Sequence, residues 1–237
     1  MNMNTGMQRI EYERLLSIQS QQPLVVIVPF DDYIDLRERT LLHTEALPPY
    51  LLMPEIQALL TATLDDRHRL LFDFLWHTGA RISEALSITP KNLMLDQPLS
   101  SYASLVSLKR QPKRTNGKAA QVRREVPITD AVFILALQRY IKTHNIKKLS
   151  PLFDLSRIAA YKAIQKWAKV AKLPIEITPH TLRHSYAVNH LLHGQQLIDI
   201  KGWMGHSTIK STEIYLQVLG RDTAHLAVRT QYNCSHI

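Results

Sequence analysis

The sequence predicts a mainly α-helical fold carrying a small antiparallel β-sheet. Three observations point there. Apolar residues recur at helical spacing through most of residues 54–230, as in Leu70, Leu71, Phe74 and Leu75. Residues 102–128 instead read as strands around an Asn116-Gly117 turn signal. A hydrophobic content of 45% over 237 residues is enough for a buried core.

The first 46 residues read as an arm. They hold a short apolar run at residues 24–28 between Pro23 and Pro29, then a polar stretch with Asp31, Asp32, Asp35, Arg37, Glu38 and Arg39. That is too little apolar material for a core. Leu47-Pro48-Pro49 marks its end, and residues 47–237 form the main domain. Pro54 suits the first position of a helix and Glu55 its positive end, with Ile56, Leu59 and Leu60 on one face. A second helix is expected from Asp66 to His77, stopped by Thr78-Gly79, and a third from near Arg81 to before Pro90. Leu105, Val106 and Leu108 form one strand; Val122, Val126 and Ile128 belong to another. After Thr129-Asp130, a helix cap, helices are expected near 130–144, 156–172, 179–193, 196–204, 207–217 and 222–230.

Charge narrows the function. Lys and Arg number 29 against 20 Asp and Glu, a net charge of +9, which favours a polyanionic partner. Five cations, Lys109, Arg110, Lys113, Arg114 and Lys118, crowd the tip of the hairpin, where they suit phosphate contact. The single cysteine, Cys234, excludes an internal disulfide and a Cys-rich zinc site. Glu11 and Glu13 stand where a signal peptide needs an apolar run, and residues 24–28 are too few to span a bilayer. The expectation is a cytoplasmic protein without a membrane partner.

Four strings can carry chemistry. In Thr178-Pro179-His180-Thr181-Leu182-Arg183-His184, Thr178 caps a helix and Pro179 opens it. His180 and Arg183 then share one face at the helix end that favours anions, where a guanidinium can grip two phosphate oxygens. His180 and His184 also have zinc-helix spacing, but no Glu base lies between them and Arg183 disfavours a metal, so no metal site is expected. A structural cap, or a nucleic-acid surface without chemistry, fits the same string. Gly205 reads as a helix stop that leaves His206 in a loop, with Ser207 as a cap for the next helix. Tyr215 is a poor nucleophile unless cations stabilise its phenolate. Arg81 opens a helix, with Glu84 one turn on to orient it.

Together, in this order, these residues resemble the tyrosine recombinase (phage integrase) family. The spacing of 23 residues from Arg183 to His206 and nine from His206 to Tyr215 is typical of it. The resemblance covers about residues 47–230 and is nearest to the resolvases of F-like plasmids, through Tyr50 to Glu55 and the Thr178 to Tyr186 string. It implies the tyrosine recombinase catalytic-domain fold and a site-specific recombinase that resolves plasmid multimers or cointegrates. Tyr215 would form a 3′-phosphotyrosyl link. Arg81 and Arg183 would bind the non-bridging oxygens, His180 would assist proton transfer, His206 would bond the phosphate, and Glu84 would support. A hairpin lysine would protonate the leaving 5′-oxygen: Lys109 is the preferred position, with Lys113 and Lys118 as alternatives. The resemblance further implies double-stranded DNA as partner, a homotetramer on paired sites with residues 220–237 reaching a neighbour, accessory DNA-binding proteins, and no cofactor. A type IB topoisomerase, a non-catalytic DNA-binding regulator and a metal-dependent nuclease are the competing functions.

Overall fold

The structure is a computed structural model that describes residues 48–95, 100–106, 113–115, 118–120 and 122–219. The arm at residues 1–46 and the tail at 220–237 lie outside the described residues, as does the helix expected near 222–230.

Helix α1 (Met53–Ala62) begins one residue before Pro54, and the Glu55 carboxylate accepts the Leu52 N–H at 2.8 Å. Helix α2 (Asp66–Thr78) is capped by Asp65, which accepts the His68 N–H at 2.9 Å. It stops at Gly79, whose φ of 56° is the left-handed conformation that a glycine adopts without strain. Helix α3 (Ile82–Leu86) is shorter than expected. The Ser87 hydroxyl donates to the Glu84 carbonyl, and the β-branched Ile88 and Thr89 continue as irregular chain toward Pro90.

Strands β1 (Leu93–Met94), β2 (Tyr102–Val106) and β5 (Arg123–Pro127) form an antiparallel sheet in the order β1-β2-β5. Val106 opposes Arg123 and Tyr102 opposes Pro127. Val122 and Ile128 flank β5 instead of belonging to it, and Leu108 lies outside the described residues. A second pair, β3 (Lys113–Thr115) and β4 (Lys118–Ala120), is antiparallel with Thr115 opposite Lys118. Asn116 and Gly117, the expected turn, lie outside the described residues.

Helices α4 (Ala131–Thr143), α5 (Arg157–Val170) and α6 (Pro179–Leu192) follow the expected pattern. Asp130 caps α4 by accepting the Phe133 N–H at 2.7 Å, and Ser156 caps α5. Helix α7 (Leu197–Met204) ends at Gly205, with φ 64°. The expected helix 207–217 is instead a four-residue helix α8 (Lys210–Glu213) followed by a 3-10 segment (Ile214–Leu219). Ser207 does not cap it: Ile209 occupies the cap position, without a side-chain bond. Thr208, Ile209, Thr212 and Ile214 are β-branched and lower the helical preference of this stretch.

Helices α2 and α6 pack against each other through the core. Leu71, Phe74 and Leu75 are fully buried with Leu182, Tyr186 and Ala187. Burial on this scale, roughly 2 kcal/mol per large apolar side chain, fixes α6 against the end of α2. Ser185 adds a polar tie by accepting the Leu51 N–H at 2.7 Å. Among the described residues no helix is long and apolar enough to cross a membrane.

Candidate active site

Arg183 is the centre of the site, and α6 places it. Thr178 accepts the Thr181 N–H at 3.2 Å and Thr181 Oγ1 accepts the Thr178 N–H at 3.0 Å, so the helix starts where the sequence sets it. Arg183 follows one turn later and is 3% exposed. A guanidinium can be buried there because two helix ends meet it. Nη1 donates to the Gly79 carbonyl beyond α2, and Nη2 donates at 2.6 Å to the Met204 carbonyl at the end of α7. Both acceptors sit at negative helix C-termini. Burial, then the Arg81 and Arg124 cations, bring its pKa down to about 9, while Glu84 and Tyr215 act in the opposite sense.

Glu84 ties two further arginines together. Its side chain is 1% exposed. Oε2 accepts the Arg81 backbone N–H at 2.9 Å, and Oε1 accepts Arg81 Nη1 at 3.0 Å. Arg124 grips both carboxylate oxygens, Nη1 to Oε1 at 3.0 Å and Nη2 to Oε2 at 2.6 Å. Burial alone would raise the Glu84 pKa, but the Arg124 and Arg81 bonds and charges hold it below the usual carboxylate value. Arg124 Nε also donates to the Trp203 carbonyl at 2.6 Å. Its guanidinium lies against Gly205, where a Cβ would come within 3.0 Å of Arg124 Cδ. Arg124 thus joins α3, β5 and the turn that leads into His206.

His206 follows Gly205, and its Nδ1 is 2.9 Å from Thr212 Oγ1, a bond that orients the ring. Burial and the neighbouring Arg183, Arg81, His184 and Arg124 charges lower its pKa to about 4, so the ring is neutral near pH 7. His184 lies one turn after His180, with ring centroids 6.4 Å apart. Its pKa is also about 4, through burial first and then His180 and Arg183. The Tyr215 hydroxyl is hydrogen-bonded to His184 Nδ1 at 2.7 Å. Tyr215 is 2% exposed, and burial raises the phenol to about 12 despite the opposing Arg183 charge.

Arg81, Glu84, His180, Arg183, His206 and Tyr215 therefore lie near one another. Lys109 and Arg110 lie outside the described residues; Lys113, Arg114 and Lys118 stand on the paired strands β3 and β4. Tyr215 differs in detail from the expectation of a phenol beside cations. Its oxygen rests on His184, in an environment that keeps it protonated. Two members were not singled out in the sequence. Arg124 had a detectable signal: it shares a strand face with buried Val126, and a cation on the core side of a half-buried strand needs a partner. His184 suggests only a metal ligand from its spacing to His180. Among the described residues no group of three or more His, Cys, Asp or Glu side chains is arranged to hold a metal ion.

Comparison with known proteins identifies the family. The phage integrase family matches residues 50–221. A resolvase from Escherichia coli is 34% identical over 223 residues, which cover 85% of this chain and 85% of that one. Among solved structures, the XerH site-specific recombinase bound to its difH substrate aligns with a TM-score of 0.58 at 22% identity. The alignment covers 72% of this chain and 50% of XerH, so the chain spans half the length of that protein. The catalytic domain of bacteriophage HP1 integrase aligns with a TM-score of 0.56 at 24% identity, covering 77% of this chain and 95% of the domain. Both structural matches show a shared fold. The chain belongs to the phage integrase family and is a site-specific tyrosine recombinase, a DNA strand-transferring enzyme.

Proposed function

We propose that the chain cuts and rejoins double-stranded DNA with Tyr215 as nucleophile, and that it resolves plasmid multimers or cointegrates. The observation that carries this reading is the convergence of Arg81, Arg183, His206 and Tyr215, residues far apart in the chain, around Glu84 and Arg124. In the proposed step the Tyr215 oxygen attacks phosphorus, and the bond from phosphorus to the 5′-oxygen breaks. His180 assists removal of the phenol proton. A hairpin lysine, Lys109 in our reading, protonates the departing 5′-hydroxyl. Arg81 and Arg183 hold the non-bridging oxygens, where charge grows in the transition state. Two of the five Arg183 N–H donors are used on carbonyls, leaving three for phosphate. His206 donates to the phosphate from Nε2 while Nδ1 is held by Thr212. The phosphotyrosyl bond conserves the energy of the phosphodiester, so rejoining is the reverse reaction and needs no ATP. The scheme assigns no step to a metal or cofactor.

Residues 47–237 form the catalytic domain in this reading. Residues 1–46 serve as an arm, and residues 220–237 contact a neighbouring subunit in a homotetramer on paired sites. Arg110, Lys113, Arg114 and Lys118 contact DNA phosphates, accessory DNA-binding proteins assist, and the setting is the cytoplasm. The DNA-bound state of XerH and the E. coli resolvase at 34% identity support the partner and the resolution reaction.

The test is a covalent-trapping assay on a nicked suicide substrate built from palindromic DNA flanking the gene. The native chain gives a protein–DNA band on a denaturing gel, in the presence of chelator as well, and Tyr215→Phe gives none. No band from the native chain would favour a non-catalytic DNA-binding regulator. Supercoil relaxation without site preference would favour a topoisomerase.

A further inference from the structure

We infer that His184 is a positioning residue, whose Nδ1 holds the Tyr215 hydroxyl in a buried resting place and so withholds the nucleophile until DNA is bound. The inference rests on the reading of Tyr215 as nucleophile. Three geometric observations carry it. The oxygen-to-nitrogen distance of 2.7 Å is that of a well-formed hydrogen bond donated by a hydroxyl. The phenol is 2% exposed, so a phosphodiester on the surface cannot reach its oxygen in this pose. Tyr215 also sits in the six-residue 3-10 segment Ile214–Leu219, directly after the four-residue helix α8. Such segments have poorer hydrogen-bond geometry than an α-helix and can shift with little loss of backbone bonding.

The bond does not act as general-base catalysis in this pose. His184 titrates near 4 and Tyr215 near 12, so moving the proton onto the imidazole is strongly uphill. A neutral ring with its proton on Nε2 simply accepts from the phenol and keeps it an O–H. His184 stands on α6, one residue after Arg183. The element that presents the phosphate-binding guanidinium therefore also holds the idle nucleophile. Entry of a phosphate beside Arg183 places the competing acceptor within reach of the same hydroxyl.

The test measures the reactivity of Tyr215 in the full chain without DNA. N-acetylimidazole acetylates accessible tyrosine hydroxyls, and peptide mass spectrometry reads each site. His184→Phe keeps a ring and removes the acceptor; His184→Ala removes both; His184→Gln restores an acceptor. Loss of one such bond should raise Tyr215 acetylation about three- to tenfold in the Phe and Ala variants. The Gln variant should stay near the native rate, and buried Tyr186 should be unchanged in all of them. An unchanged Tyr215 rate in the Phe and Ala variants would overturn the inference. So would an equal rise in the Gln variant, or a parallel rise at Tyr186 that marks general loosening. Because no DNA is present, the outcome is independent of whether Tyr215→Phe abolishes strand cleavage.

Discussion

Replacing Arg124 with alanine should destabilise the protein and disable the site together. The guanidinium makes three short bonds, two to the Glu84 carboxylate at 3.0 and 2.6 Å and one to the Trp203 carbonyl at 2.6 Å. The two side chains are 10% and 1% exposed, so solvent does not replace the lost partner. Removing one member of a buried pair costs about 3–5 kcal/mol. Two effects place this case at the lower end. Arg81 remains 3.0 Å from Glu84, and Arg183 loses a cation that repels it. A loss of about 3 kcal/mol is expected, which for a chain of this size is a fall in Tm of roughly 6–12 °C. Arg124→Lys keeps the charge but not the fork, and should fall about half as far. Thermal unfolding followed by circular dichroism gives the Tm values. Single-turnover cleavage, run well below both transitions, should fall at least about tenfold in Arg124→Ala, because the turn before His206 and the Glu84 anchor of Arg81 both loosen. A Tm within about 2 °C of the native chain would refute the argument. So would strictly additive losses in the Glu84→Gln, Arg124→Ala cycle, since contacting residues must couple.

Acid should weaken the fold before its carboxylates titrate. His184, His190 and His206 are each held near 4, below the usual 6.5, so between those values the unfolded chain binds more protons and stability falls with falling pH. Urea midpoints at pH 7, 6 and 5 should decline steadily, less so in His190→Phe; a flat series would contradict the burial of these rings. Glu84, held below the usual carboxylate value of 4.5, contributes stability above that pH that is lost as pH falls through its lowered folded value, so a second decline follows at lower pH and is absent in Glu84→Gln. Tyr186→Phe should be neutral or stabilising, by up to about 1–3 kcal/mol, because its hydroxyl is buried and unbonded among the described residues; a loss of Tm would mean that the hydroxyl has a partner. Gly79→Ala should lower stability by more than about 1 kcal/mol, because φ is 56° and a Cβ would meet the Tyr186 ring at 2.5 Å; the Gly79→Ala, Tyr186→Ala double variant should recover part of that loss in the same melts.

Local chemistry made most of the fold legible. Thr178-Pro179, Asp130, Gly79 and Gly205 each mark an element boundary through a cap or a left-handed turn that depends on neighbours only a few residues away. The family spacing made Arg81, Arg183, His206 and Tyr215 legible as a set. What escaped is long-range. Arg124 is defined by Glu84, 40 residues back, and by Trp203, 79 residues ahead, and periodicity in its own strand names neither partner. The His184–Tyr215 bond spans 31 residues and depends on a 3-10 segment where a helix was expected. Of the hairpin lysines, Lys113 and Lys118 lie on the paired strands β3 and β4, and Lys109 lies outside the described residues.

The charge balance of the site explains why it seeks an anion. Buried cations are normally matched by carboxylates. Here, among the described residues, Arg81 and Arg124 pair with one carboxylate, Glu84, while Arg183 donates to the carbonyls of Gly79 and Met204 and Arg124 also to that of Trp203. Carbonyl dipoles complete hydrogen bonds but do not cancel net charge. The cluster therefore keeps an excess of positive charge, and burial first, then the Arg81 and Arg124 charges, lower the Arg183 pKa to about 9. In the proposed reaction an incoming phosphodiester would relieve that excess, and the extra charge on the non-bridging oxygens in the transition state would relieve it further, favouring the transition state over the bound substrate. Glu84 and three backbone carbonyls hold the arginines in place in the free chain, so these side chains would need no rearrangement of their own on meeting a phosphate.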